Sequence, residues 1–81
     1  MRYLNMTNLR DKEILKNFGS HLKKLREKKN ITQAQLASDM NVEISQISRI
    51  ERGIINPSLC TVVEIAKAIG ISPSKLLEIE L

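Results

Sequence analysis

Eighty-one residues give one small domain, with 13 Lys and Arg against nine Asp and Glu for a formal net charge of +4. A core of this size is marginal without tight helix packing or a partner subunit. The single cysteine, Cys60, excludes an internal disulfide framework and points to a reducing, cytoplasmic setting. No apolar run is long enough for a membrane span or a secretory signal. The positive charge sits in the first part of the chain: residues 1–35 hold nine bases and three acids (+6), and residues 36–81 four bases and six acids (−2). A basic face of this kind is compatible with a polyanionic partner, and equally with a solvated helix surface.

In chain order, residues 1–8 read as an N-terminal arm and 9–81 as the folded domain. Ile14, Leu15, Phe18, Leu22 and Leu25 recur at three- and four-residue spacing, which predicts a first helix from about Leu9 to Lys29 with Asn8 as its N-cap. Gly19 lies inside it and marks a close helix contact. Asn30 follows a basic last turn and can take the left-handed conformation that ends helices. Thr32-Gln-Ala-Gln35 has the spacing of a capping box and opens a short second helix that carries Leu36, Ala37 and Met40 inward and ends near Asn41. A third helix runs from about Ile44 to Arg52, with Ile47 and Ile50 on one side and Gly53 as its stop. The loop through Pro57 leads to a fourth helix, whose Leu59, Val62, Ile65, Ala66 and Ile69 share a stripe and which Gly70 closes. Ser72-Pro73 is an N-cap followed by Pro at the first helical position, and opens a last short helix through Leu76 and Leu77. The expected class is all-α, a compact five-helix domain without strands.

Helices two and three are separated only by Asn41, Val42 and Glu43, so they must cross steeply, which is helix-turn-helix geometry. On a wheel of about 100° per residue, Ser45, Ser48, Arg49 and Arg52 cluster opposite Ile47 and Ile50, with Gln46 at the flank. A short polar face with two arginines and no acid suits the major groove, where hydroxyls and guanidinium groups meet base edges and phosphates.

The segments Ile31-Thr-Gln-Ala-Gln-Leu-Ala37, Ile47-Ser-Arg-Ile-Glu-Arg-Gly53, Asn56-Pro-Ser-Leu59 and Ile65-Ala-Lys-Ala-Ile-Gly70 resemble the phage repressor and Cro-like helix-turn-helix family, in register over about residues 18 to 78. The resemblance implies a repressor-like domain that regulates transcription by binding double-stranded DNA. It implies that Gln33 touches phosphate and supports the reading helix, that Ile44, Ser45, Ser48 and Arg49 read bases with Gln46 at the edge, and that Arg52 meets phosphate. Three departures stand out: Asn41 replaces the usual Gly of the turn, Glu43 stands where Ser, Thr or Asp usually caps the third helix, and Ile44 replaces what is often a polar base-reader. Ile44 can then read only apolar groups such as a thymine methyl.

Arg26 borders Leu22 and Phe18, and Glu51 follows Ile47 by four residues. A partly buried ion pair between helices one and three is therefore expected, and the resemblance implies the same pairing. The last helix and tail carry more apolar residues than a short segment needs. Ile79 and Leu81, with Val63, are the expected surface of a twofold homodimer on a near-palindromic operator. A further protein partner, a toxin or a polymerase subunit, fits the same family. His21 has no second ligand at metal spacing and reads as a packing or surface residue; Cys60 reads as a small packed hydrophobe. No nucleophile and base pair, metal site, cofactor motif or Gly-rich phosphate loop is present, so an enzyme is not expected. The competing class is a protein-interaction module without an operator of its own.

Overall fold

The computed structural model describes the backbone of residues 2–80 and the side chains of residues 9–80. Five helices follow one another: α1 (Arg2–Lys28), α2 (Gln33–Met40), α3 (Ile44–Glu51), α4 (Leu59–Ile69) and α5 (Pro73–Leu76). No strand occurs among the described residues.

The helix ends follow local side-chain chemistry. Thr32 Oγ1 accepts the backbone N–H of Gln35 at 3.0 Å, and Gln35 Oε1 accepts that of Thr32 at 2.8 Å, which completes the capping box. Asn41 adopts φ 58°, and Val42 N–H reaches back to the Ala37 carbonyl at 2.9 Å. The Asn thereby does the work of a C-terminal glycine. Asn30, at φ 59°, makes the corresponding turn between α1 and α2. Ser58 and Ser72 cap α4 and α5 by accepting the N–H of Thr61 and Lys75.

α1 does not start at Leu9. It extends back to Arg2, and Asn8 is an interior helical residue, not a cap. Between Arg2 and Phe18 there is no Gly or Pro, and adding a residue to an existing helix avoids the nucleation cost of starting one. At a rise of about 1.5 Å per residue the helix runs for roughly 40 Å, which accounts for the molecule's longest dimension of 41 Å.

The core is built from Phe18 and Leu22 of α1, Leu36 and Ala37 of α2, Ile47 and Ile50 of α3, Val62, Ile65, Ala66 and Ile69 of α4, and Leu76 of α5. Gly19 is the point at which α1 crosses the end of α3. A Cβ there would collide with the carbonyl oxygens of Ile50 and Glu51, so the absent side chain sets the helix separation.

Four expected inward residues lie outside this core. Leu59 is 73% exposed, because the first residue of α4 overhangs the stripe that Val62 continues; Leu77 is 48% exposed, because it is the C-cap beyond a single turn whose buried member is Leu76. Ile14 lies at the outer edge of the α1 stripe and is exposed, and so is Cys60, on the solvent side of the first turn of α4.

The C-terminal segment is tied to α1. Asn17 Nδ2 donates to the Glu80 carbonyl at 3.0 Å, and the His21 ring nitrogen Nε2 lies 2.9 Å from the Lys75 carbonyl. His21 is thus a packing residue joining α1 to α5. Ile79 is drawn down with this segment and packs, half-buried, on the domain's own core. Leu81 lies outside the described residues.

Candidate nucleic-acid interface

α3 presents two faces set by its eight residues. Ile47, Ile50 and Glu51 are buried, Ile44, Ser45 and Arg49 are exposed, and Gln46 and Ser48 are half-buried; Arg52, the C-cap that follows, is exposed as well. The only acid within the helix is therefore turned into the protein, and its outer surface is polar and cationic apart from Ile44, which is 51% exposed.

Beneath this surface lies the Glu51 carboxylate, which accepts Arg26 Nε at 2.6 Å and a second Arg26 nitrogen, Nη2, at 3.0 Å. Arg26 also donates Nη1 to the Ile31 carbonyl at 2.7 Å, which fixes the turn between α1 and α2. The hydrogen bond to Glu51 raises the Arg26 pKa above its ordinary value, against the lowering effect of burial. Every buried side-chain nitrogen and oxygen among the described residues has a partner, so the two charges are buried as a satisfied network.

Gln33, at the first position of α2, joins this network. Its Nε2 donates to Glu51 Oε1 at 2.9 Å. The resemblance implied that Gln33 touches phosphate and supports the reading helix; its hydrogen bond to the end of α3 is such a support. The two residues are distant in the chain, and only the steep α2–α3 crossing brings them together. One hydrogen of the amide group is committed to Glu51, and the second is left over.

Arg49 and Arg52 are held differently. Arg52 Nε donates to Ser48 Oγ at 3.2 Å and to the Ser48 carbonyl at 3.3 Å, so it folds back along the helix. Arg49 makes no side-chain hydrogen bond among the described residues and keeps its whole guanidinium free. No cluster of His, Cys, Asp or Glu able to hold a metal occurs among the described residues. None of the helices described is long and apolar enough to cross a membrane.

A buried arginine–glutamate pair under a short cationic helix, reached by a tight turn from a capped second helix, defines a helix-turn-helix domain. A family model described as helix-turn-helix matches residues 22–76, from the middle of α1 to the end of α5. The chain belongs to this helix-turn-helix family, in its phage repressor and Cro-like form, a class of DNA-binding transcriptional regulators.

Among its relatives, the immunity repressor protein of Bacillus phage phi105 is 40% identical over 58 residues, which are 72% of this chain and 40% of the repressor. The match thus spans less than half of that repressor's length. The control protein C.BamHI of Bacillus amyloliquefaciens is 39% identical over 62 residues, 75% of this chain and 76% of that protein. The crystal structure of the restriction-modification controller protein C.AhdI from Aeromonas hydrophila has a TM-score of 0.74 at 35% identity, over 76% of this chain and 94% of that one. The clp gene regulator ClgR from C. glutamicum has a TM-score of 0.77 at 26% identity, over 79% of this chain and 82% of that one.

Proposed function

We propose that the protein is a sequence-specific regulator that binds double-stranded DNA as a homodimer, with α3 in the major groove of a near-palindromic operator. The observation that carries this reading is the outer face of α3, where Ser45 and the free Arg49 are exposed while Glu51 is withdrawn into the ion pair with Arg26. A guanidinium that is not tied down can meet guanine O6 and N7 together, and a neighbouring hydroxyl can assist. Arg52 and the spare hydrogen of Gln33 hold phosphates, and Ser48, Gln46 and Ile44 complete the contact. The likeness to the control protein C.BamHI, over 76% of its length, and to the controller protein C.AhdI, over 94% of its length, supports a controller-type role.

The dimer surface we propose draws on the exposed Leu59 and half-buried Val63, one turn apart on α4, and on the exposed Leu77 and half-buried Ile79 of the C-terminal segment. The withdrawal of Ile79 into its own core shifts the weight of this surface to Leu59 and Leu77. Two copies of α3 about 34 Å apart then meet half-sites one helical turn apart.

The test is selection of bound duplexes from random DNA by the full chain, followed by titration of the selected site and a scrambled control. A near-palindromic site bound at least about a thousandfold more tightly than the control is the expected result. Binding that is equal on both DNAs overturns the reading.

A further inference from the structure

Helices α2 to α5 have Thr32, Glu43, Ser58 and Ser72 as their N-caps, and three of these work in the usual way. Thr32, Ser58 and Ser72 each accept the backbone N–H of the third helical residue. Glu43, at the head of α3, makes no side-chain cap hydrogen bond, although its backbone has the same extended conformation, φ −72° and ψ 143°. Its carboxylate is exposed and has no hydrogen bond or ion pair among the described residues. The next residue, Ile44, is 51% exposed and apolar. The reading helix therefore begins with an unengaged carboxylate beside an unengaged aliphatic group.

This placement is costly if α3 enters DNA as proposed above. A negative charge at the leading end of the helix is repelled by phosphates and by the guanine and adenine N7 acceptors, and an isoleucine has nothing polar to offer. One base edge reverses both penalties. Cytosine presents an amino group, N4, as a donor in the major groove, and next to it the apolar C5–H edge. Adenine also presents an amino group, but flanks it with the N7 acceptor, which opposes a carboxylate.

We infer that Glu43 and Ile44 together read a cytosine in each half-site, with the Glu43 carboxylate accepting the N4 amino hydrogen and the Ile44 side chain lying against the C5 edge of that base or of its pyrimidine neighbour. This assignment rests on the DNA-binding reading of α3 and gives it a second specificity element besides Arg49. It also accounts for an acidic residue where a hydroxyl would cap the helix better: the side chain is kept for the ligand.

The experiment is selection from random duplexes with the wild-type chain, Glu43→Ala and Glu43→Gln. Glu43 is exposed and contributes no cap bond, so both variants are expected to melt like the parent. The wild-type site is expected to hold a cytosine whose replacement weakens binding roughly tenfold or more. In Glu43→Ala that position becomes degenerate while the others persist, and in Glu43→Gln the preference moves to adenine, whose N6 and N7 a carboxamide meets in bidentate fashion. Unchanged preferences in Glu43→Ala overturn the inference and leave the DNA-binding reading intact, and so does a Glu43-dependent preference for adenine in the wild type. A wild-type chain that selects no sequence at all overturns both.

Discussion

Gln33 and Glu51, 18 positions apart in the chain, share a 2.9 Å hydrogen bond in which the amide of the first residue of α2 donates to the last residue of α3. Because Glu51 also takes two hydrogen bonds from Arg26, this contact ties three helices to one carboxylate. The angle at which α3 stands off the domain is thereby coupled to the start of α2, the place where a phosphate is proposed to bind.

Removing the carboxylate leaves a buried guanidinium without its counter-charge. Glu51→Ala is expected to lose about 3 to 5 kcal/mol of unfolding free energy, enough to unfold much of a domain this small. Urea unfolding followed by circular dichroism measures this. A midpoint equal to that of the parent contradicts the structural role given to the pair.

Gln33 has both a structural and a proposed binding share. Gln33→Ala deletes one hydrogen bond to a charged, otherwise satisfied acceptor, and should cost about 1.5 to 3 kcal/mol of stability. Its DNA affinity should fall on operator and scrambled DNA alike, since a phosphate contact carries no sequence information. Loss confined to the operator would instead make Gln33 a base reader.

Arg49 of α3 and Arg52 at its C-cap should separate cleanly. Arg49→Ala is expected to cost about 1 to 3 kcal/mol per half-site and to relax preference at one base position. Arg52→Ala should weaken binding to all sequences and reduce the salt slope by about one unit. Titrations on both DNAs at two salt concentrations distinguish the outcomes. Equal losses on the two DNAs for Arg49→Ala remove it from the reading set.

Gly19 and Gly70 should respond to alanine for different reasons. In Gly19→Ala the new methyl meets the backbone carbonyls of Ile50 and Glu51, which cannot move without displacing α3. Overpacking of this kind costs about 1 to 3 kcal/mol, more than the gain of roughly 1 kcal/mol in helix propensity. Gly70 has open space around it but a φ of +87°, so Gly70→Ala pays only local backbone strain of about 1 to 2 kcal/mol. The decisive comparison is DNA binding at equal folded fraction, where Gly19→Ala should be impaired and Gly70→Ala should match the parent.

The number, order and ends of the helices from α2 onward were legible in the sequence, because each is set by local chemistry. A capping box at Thr32, asparagine at the α2–α3 turn, glycine after α4 and Ser-Pro before α5 all act within a few residues of themselves. The core stripes were legible for the same reason, since helical periodicity alone puts Leu22, Ile47 and Ile65 inward. The start of α1 was not, because nothing local stops a helix between Arg2 and Asn8 and a good cap at Asn8 does not oblige the helix to use it. What only the tertiary structure decided are relations across elements. Leu59 and Leu77 have the right spacing to be buried, yet they fall past the ends of the helices that cover the core, and a wheel cannot see where a neighbour ends. Ile79 was free to serve a partner until Asn17 and His21 fastened the tail to α1. Gln33 reaches Glu51 only because two eight-residue helices cross at one angle, and that angle depends on packing around Gly19 and the Arg26 ion pair, interactions between residues far apart in the chain.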